Sequence, residues 1–420
     1  MRFLCGSGDR PLTAKLRTKI ANIDLSIASL WEICKKMTEQ FKHALLPETT
    51  HDELARQHFV MSLKSHIMGK IAPGNKAVYD RLAKPEFEAK YQRSPETRYE
   101  VREVMDKQPY YRWWGALQRM QQEMMWASVA SSVDRQHTQL GDRAQTQDKS
   151  VGSLTLDPEL PIPAYQTAVD IHCMPGGYGG EDTDEDMAAG AIYDRGTYLY
   201  GRGWLGPLND DVGASMVENY LKANYPDFQP RKILDLGCSV GHSTLPYADG
   251  YPDAEVWAID LSAPMLRYAH ARAQALGKPV HFAQGNAERT PFPDASFDLV
   301  VSHIFLHEIP VCAIRNVLRE CYRLLAPGGI VIHAEALLYK HLDVFREFLY
   351  DWQTANNNEP FWSGMRDLDL RQELIDAGFD AEGAIETFVP NGVWKAKMTN
   401  SDKKAGLNQR GTWFAVCGKK

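Results

Sequence analysis

The sequence of 420 residues has no paired cysteine motif, although it contains seven cysteines. The odd number and the absence of a CxxC pair argue against a disulfide framework and against a cysteine-based zinc site. No run approaches the roughly 18 apolar residues of a membrane span. The start, MRFLCGSGDR, also lacks an apolar core of signal-peptide length. We therefore expect a cytoplasmic protein without a membrane partner.

Basic residues are not clustered, and the formal net charge is −7. A nucleic-acid-binding protein usually carries a basic stripe that neutralises phosphates, so we expect no nucleic-acid partner. Small-molecule chemistry is the better hypothesis for a chain of this composition.

Three regions differ in their residue patterns. Residues 1–143 place apolar side chains at three- and four-residue spacing, which predicts a helical domain. Its bulky aromatic and methionine side chains favour a packed core, with a face for a homodimer or one wall of a substrate cavity as the alternatives. Residues 144–206 are rich in proline and glycine and predict a linker and lid segment.

Residues 207–420 alternate apolar strands with helices of about a dozen residues. This alternation predicts an α/β fold whose parallel, doubly wound sheet is covered on both faces. A helical insertion is expected near residues 338–365.

The stretch KILDLGCSVGHST, residues 232–244, permits two interpretations. Gly237-Cys238-Ser239-Val240-Gly241 fits the nucleophile elbow of a serine hydrolase, with Ser239 as nucleophile. The same residues fit a glycine-rich turn beneath a nucleotide-like ligand. The stretch follows the first predicted strand of the α/β region, and Asp260 ends the second strand, where ribose hydroxyls are captured in Rossmann-like sites. Position therefore favours the ligand turn.

Four motifs in order strengthen this interpretation: ILDLGCSVG, VWAIDLSAPML, GNAERTPFPDASFDLVVSHIFLHEI and LLAPGGIVIHAEA. Together they resemble class I S-adenosylmethionine-dependent methyltransferases, in particular the small-molecule branch that includes ubiquinone and menaquinone enzymes. The resemblance covers about residues 207–340. It implies a Rossmann-like methyltransferase core with S-adenosyl-L-methionine as cofactor and a small-molecule acceptor.

The resemblance also implies roles for individual residues. Asp235, Gly237 and Gly241 would lie under the methionine half of the cofactor, and Asp260 would hold the ribose. The adenine would contact Leu261, Asn286 and Ala287, and Ser302 would face the sulfonium. Two positions depart from the family pattern: Ser239 replaces a glycine, and Asn286 replaces an aspartate while keeping an acceptor oxygen.

Methyl transfer is an in-line displacement that needs a base only if the acceptor loses a proton. His303, His307 and Glu308 follow the fourth predicted strand and are the candidate catalytic groups, together with Tyr193. Packing roles for His307 and Glu308 remain alternatives. A metal site is not expected, because the H-E-x-x-H spacing is absent.

The predicted lid offers Arg195, Tyr198 and Tyr200 as acceptor-binding residues. An arginine there suits a carboxylate of the acceptor or of the cofactor, although a surface ion pair is an equal alternative.

Two other functions stay open. One is the serine hydrolase built on Ser239, and the other is a non-catalytic protein that binds the cofactor and recruits a partner. A nicotinamide-dependent oxidoreductase fits less well, because the turn is G-x-x-x-G and not G-x-G-x-x-G.

Overall fold

A computed structural model describes residues 39–393 and 411–420. Gln40–Lys420 form one compact unit. Residues 1–38 of the predicted helical domain lie outside the described residues, and residues 39–50 form no helix. Within the described ranges, no helix is long and apolar enough to cross a membrane.

The first part of the described chain is helical, as its periodicity predicts. Thr50 and Glu53 begin the first helix with a capping box, in which each side chain accepts the other's backbone N–H. Two π-helical segments, Ile67–Ile71 and Tyr79–Ala83, join the first three helices. The α-helices of this part are His51–His66, Ala72–Val78, Lys84–Tyr91, Arg98–Met105, Pro109–Asp134 and His137–Gln145.

Within the described part of the chain, eight strands form one sheet in the order β1-β4-β3-β2-β5-β6-β8-β7. All neighbours pair in parallel except β8, which is antiparallel to both β6 and β7. The strands are β1 Ser153–Thr155, β2 Lys232–Leu236, β3 Glu255–Asp260, β4 Val280–Gln284, β5 Phe297–His303, β6 Leu325–Glu335, β7 Ile385–Pro390 and β8 Thr412–Lys419.

Helices cover both faces of this sheet. Along β2, Ile233 packs into one hydrophobic core and Leu234 and Leu236 into the other, as alternating side chains require. The helix Ala263–Ala275 lies on the first face and Val311–Leu324 on the second. The predicted α/β fold with a doubly wound, Rossmann-like sheet and a helical N-terminal region is confirmed.

The remaining helices connect and flank the strands. Short 3-10 turns occur at Ile171–Cys173, Leu306–Glu308 and Tyr339–His341, and a π-helical segment at Met216–Leu221. The other α-helices are Ala164–Thr167, Ala188–Tyr200, Asp211–Ser215, Lys222–Asn224, Leu245–Gly250, Val344–Tyr350, Trp352–Asn356, Trp362–Arg366 and Leu370–Asp376.

The predicted lid segment contains a helix buried on most of its surface. Ala188–Tyr200 packs between the long helix Pro109–Asp134 and the helix Ala263–Ala275. Glycines permit this close contact: a Cβ on Gly190 would lie 2.3 Å from the Cβ of Tyr268, and one on Gly196 would lie 2.1 Å from the ring of Trp126. This helix is therefore closely packed against both neighbouring helices.

Aromatic residues of the insertion after β6 take part in a core. Phe345, Phe348 and Trp352 pack with Tyr111 and Trp114 of the long helix. They therefore pack the insertion against the long helix.

Candidate functional site

A cavity of about 520 Å³ lies at the carboxyl ends of β2, β3 and β5. The strand order reverses at β2, which pairs with β3 on one side and β5 on the other. Ligands of open α/β sheets bind at such a switch point, where the connections leave in opposite directions. The cavity is lined by eleven of the predicted site residues: Tyr193, Tyr200, Asp235, Gly237, Asp260, Leu261, Asn286, Ala287, His303, His307 and Glu308.

The turn after β2 needs a glycine at its first position. Gly237 has φ +68°, and a Cβ there would lie 2.4 Å from the ring of Phe305. Ser239 and Gly241 also have positive φ, at 51° and 76°. The backbone of residues 237–241 therefore makes a tight turn at the cavity wall, and the space beside this turn is open to a ligand.

Asp260 ends β3 and supports the same turn from below. Its two carboxylate oxygens accept the backbone N–H groups of Ser239 and Ser262, each at 2.9 Å. Burial raises the pKa of Asp260 to about 6, with contributions from the charges of Glu308 and Asp235. The carboxylate thus lies at the cavity wall with acceptor capacity left over for a ligand's hydroxyls.

The neighbouring wall matches the predicted adenine side. Leu261, Asn286 and Ala287 line the cavity beside Asp260. Asn286 already uses its side-chain oxygen to accept the N–H of Glu288 at 2.8 Å. The side-chain oxygen of Asn286, which the sequence predicted as an acceptor at the adenine, therefore already accepts a hydrogen bond within the local turn.

His303 is held from both sides at the end of β5. Its Nδ1 lies 3.3 Å from Asp235 Oδ1, and its Nε2 lies 3.0 Å from the Tyr247 hydroxyl. Asp235 also accepts the Thr244 hydroxyl at 2.5 Å. The imidazole lines the cavity, but its two nitrogens are engaged within the protein.

His307 is buried against Glu335. The His307 Nδ1 lies 2.8 Å from Glu335 Oε2, and the ring packs edge-on against Trp362 at 4.9 Å between centroids. Burial alone would lower the pKa of His307, but the carboxylates of Glu335 and Glu308 raise it above its ordinary value. His307 belongs to a short 3-10 turn, Leu306–Glu308.

Glu308 is part of a charged group that the sequence did not predict. Its Oε1 accepts the Tyr178 hydroxyl at 2.9 Å and lies 3.3 Å from His172 Nε2. The other nitrogen of His172 lies 2.9 Å from Glu359 Oε1. Burial would lower the pKa of His172, but Glu359 and Glu308 raise it to about 10, so the ring is an imidazolium at neutral pH.

His172 is positioned by distant parts of the chain. It has φ +56°, which is unusual for a residue other than glycine. Its carbonyl accepts the Trp126 indole N–H at 2.8 Å and the Gln122 amide at 3.1 Å, both from the long helix. Such strain at a cavity wall is typical of functional sites. The glycine-rich sequence around His172 was a weak signal for this loop, and no local signal marks Glu359.

Three other predicted residues do not reach the cavity. Arg195 is buried and donates to Gln57 and Gln40 at 2.9 and 3.2 Å, so it does not face an acceptor. Tyr198 is also buried, on the same helix. Ser302 lies within the sheet, where its hydroxyl contacts His333 Nδ1 at 2.7 Å. The alternation of β5 turns Ser302 inward and leaves His303 at the cavity.

Gly241 has the positive φ of the predicted turn but does not line the cavity. Its role is to let the chain turn into the helix Leu245–Gly250.

Asp194 carries a second buried charge. It contacts Arg272, His43 and His242, and it accepts the Tyr268 hydroxyl at 2.9 Å. Burial would raise its pKa, but Arg272 and His242 lower it well below its ordinary value. This network ties the buried helix Ala188–Tyr200 to the loop beneath the cavity.

Neither alternative site is assembled. No histidine of residues 39–393 or 411–420 is hydrogen-bonded to Ser239, so the hydrolase arrangement is not formed there. The described residues also contain no group of three or more His, Cys, Asp or Glu side chains that could hold a metal ion.

Comparison with known proteins gives a consistent result. Residues 233–329 match a family model described as a methyltransferase domain. The demethylmenaquinone methyltransferase of Thermus thermophilus is 37% identical over 106 residues, which are 25% of this chain and 47% of that protein. The trans-aconitate 2-methyltransferase of Methylobacterium radiotolerans is 39% identical over 111 residues, 26% of this chain and 40% of that protein.

The chain spans about half the length of the curated relatives it matches. Among solved structures, the phosphoethanolamine N-methyltransferase 2 of Haemonchus contortus is 19% identical with a TM-score of 0.38. That alignment covers 55% of this chain and 58% of the other.

Proposed function

Since residues 233–329 are a class I S-adenosylmethionine-dependent methyltransferase domain, as the four motifs predicted, we propose that this protein methylates a small-molecule acceptor. The proposal rests on one observation: two sets of residues line the same cavity of about 520 Å³. One set is the predicted cofactor residues of the sheet edge. The other is the aromatic and acidic group around His172, which would surround the acceptor.

The residues of the first set fit S-adenosylmethionine, the cofactor of this family. The turn at Gly237 would accommodate the methionine half, and Asp260 would accept the ribose hydroxyls. Leu261, Asn286 and Ala287 would enclose the adenine. When bound, the cofactor supplies an activated methyl group on a sulfonium.

The protein's own contribution is alignment and exclusion of water. Tyr193 and Glu308 line the cavity where the acceptor would lie, and Tyr178 holds Glu308 in place. Of the candidate bases, His303 and His307 are bound to Asp235 and Glu335, so they would act mainly by positioning. Glu308 is the stronger candidate for contact with the acceptor.

Calorimetric titration with S-adenosylhomocysteine tests the cofactor assignment. We expect binding in the micromolar range for the intact chain. The absence of heat with both S-adenosylhomocysteine and S-adenosylmethionine would contradict it.

Turnover separates this function from that of a non-catalytic cofactor-binding protein. A methyltransferase releases S-adenosylhomocysteine when its acceptor is supplied, whereas a binding protein does not. No contact of Ser239 favours the hydrolase.

A homodimer through the N-terminal helices also remains a prediction. Its support is the exposure of Trp113, Met120 and Met124 along one side of the long helix. Light scattering of the purified protein tests it, with a dimer mass expected and a monomer mass contradicting it. A cytoplasmic location and the lack of a nucleic-acid partner likewise stay predictions from composition.

A further inference from the structure

Charge is distributed unevenly over the cavity wall. Among the described residues that line it there is no lysine and no arginine. Six carboxylates from the described ranges line it: Asp235, Asp260, Glu288, Glu308, Glu335 and Glu359. Such a wall repels anions and favours cations, because charges in a partly buried site are weakly screened.

Most of these carboxylates already have partners. Glu335 accepts from His307, and Glu288 accepts the Tyr165 hydroxyl at 2.7 Å and the Asn316 amide at 2.7 Å. Asp235 and Asp260 belong to the cofactor side. Glu308 and Glu359 remain on the acceptor side, with the His172 imidazolium between them.

Glu359 has unused acceptor capacity. It is 3% exposed, and its Oε1 contacts His172 and the Asn357 amide. Its Oε2 has no hydrogen-bond partner among the described residues, although the side chain lines the cavity. A buried carboxylate oxygen without a donor is costly, so a donor from a ligand would be favoured there.

Aromatic rings surround the same part of the cavity. Tyr178 and Tyr193 both line the cavity and meet edge to face at 5.6 Å between centroids. Their electron-rich faces attract cations. Tyr200 and Trp362 do not contribute in this way. Lys64 Nζ already lies 3.1 Å from the ring centroid of Tyr200, and the Arg366 guanidinium lies 5.0 Å from that of Trp362.

We propose that the acceptor is an amine, held as an ammonium by Glu359 Oε2 within this aromatic group and methylated on nitrogen. This inference rests on the proposed methyltransferase function and specifies its substrate class. Carboxylate and phosphate acceptors find no lysine or arginine among the described residues of this wall.

Transfer requires a nitrogen lone pair, so the bound ammonium first releases one N–H proton to water. Burial would raise the pKa of Glu359, but His172 lowers it below its ordinary value, so Glu359 stays a carboxylate and does not take the proton. That lone pair forms the new N–CH₃ bond while the S–CH₃ bond breaks, and its electron pair goes to sulfur. The products are S-adenosylhomocysteine, whose sulfur is neutral, and a methylated ammonium.

Matched compounds provide the test. The intact chain, saturated with S-adenosylhomocysteine, is titrated with phenethylamine, 2-phenylethanol and 3-phenylpropanoate, and with butylamine, 1-butanol and pentanoate. We expect the amine to bind at least about tenfold more tightly than its alcohol and acid in each series, the scale of one charge-assisted hydrogen bond. With S-adenosylmethionine instead, mass spectrometry should detect an N-methylated amine.

Variants test which residue causes the preference for amines. Glu359→Gln should abolish the preference for amines, whereas Glu159→Gln, at an exposed position, should retain it. If Glu359→Gln fails to fold, Tyr193→Leu serves instead, because it removes one ring face and should weaken binding of the amine but not of the alcohol.

Equal or tighter binding of the alcohols or acids, or no binding by any compound, would overturn the amine assignment. Failure of S-adenosylhomocysteine itself to bind would instead overturn the proposed function. The two failures are therefore distinguishable.

Discussion

The two halves of the cavity are built in different ways. The cofactor half comes from the ends of three adjacent strands and the turns that follow them, within residues 235–287. The acceptor half brings together His172, Tyr178, Glu308 and Glu359, which come from separate stretches of the chain. The first half therefore depends on local backbone geometry, and the second on tertiary packing.

Gly237→Ala should have the largest effect on the cofactor half. Its Cβ would lie 2.4 Å from the Phe305 ring at φ +68°, so the ring would have to turn into the cofactor's space. We expect the dissociation constant of S-adenosylhomocysteine to rise by at least about 100-fold. Calorimetry measures it.

Gly277→Ala is the matched control for that change. Gly277 has φ +66°, but a Cβ there would meet no atom within 4 Å. It should carry the same backbone strain without weakening the cofactor complex. Equal losses in the two variants would show that the close approach at Gly237 is unimportant.

Asp260→Ala should have the next largest effect. Loss of charge-assisted hydrogen bonds to the ribose should weaken S-adenosylhomocysteine binding by ~10- to 100-fold. The exposed Asp253→Ala is the control, with unchanged affinity expected. Unaltered affinity in Asp260→Ala, measured by the same titration, would refute the ribose assignment.

Cofactor binding should also depend on pH through Asp260. The raised pKa of about 6 means that the ribose-binding carboxylate is ionised above pH 6 and neutral below it. Affinity should therefore be constant from pH 7 to 8 and fall by up to about tenfold per pH unit below 6. Asp260→Asn should remove this dependence. A wild-type affinity that stays flat down to pH 5 would contradict the prediction.

His172→Gln should have the smallest effect on the cofactor. It removes the cation between Glu308 and Glu359 but no predicted cofactor contact. The affinity for S-adenosylhomocysteine should change by less than about twofold. A loss of tenfold or more in the titration would show that the two halves are not separable.

The same contrast explains how much of the fold the sequence could predict. Strands β2 to β8 and the helices between them follow from apolar runs long enough to show a period. Strand β1 was not predicted and lies within the segment predicted to be a linker. Its three residues, Ser153–Thr155, are too few to show a strand pattern. The burial of the helix Ala188–Tyr200 depends on neighbours far away in the chain, which periodicity does not report.

The sequence predicted the cofactor half of the candidate site better than the acceptor half. Asp235, Gly237, Asp260 and the adenine-side residues follow from motifs in which each residue adjoins a strand end. Arg195 was expected at the acceptor because of its charge, yet its guanidinium is buried against glutamines. His172 and Glu359 are paired across 187 positions (359 − 172) of sequence, so no local motif could reveal them.

A crystal structure of the complex with S-adenosylhomocysteine tests the central claim most directly. We predict both ribose hydroxyls within hydrogen-bonding distance of the Asp260 carboxylate, and the sulfur directed toward Tyr193 and Glu308. A ligand whose ribose lies away from Asp260, or whose sulfur faces away from the acidic, aromatic half, would contradict the account.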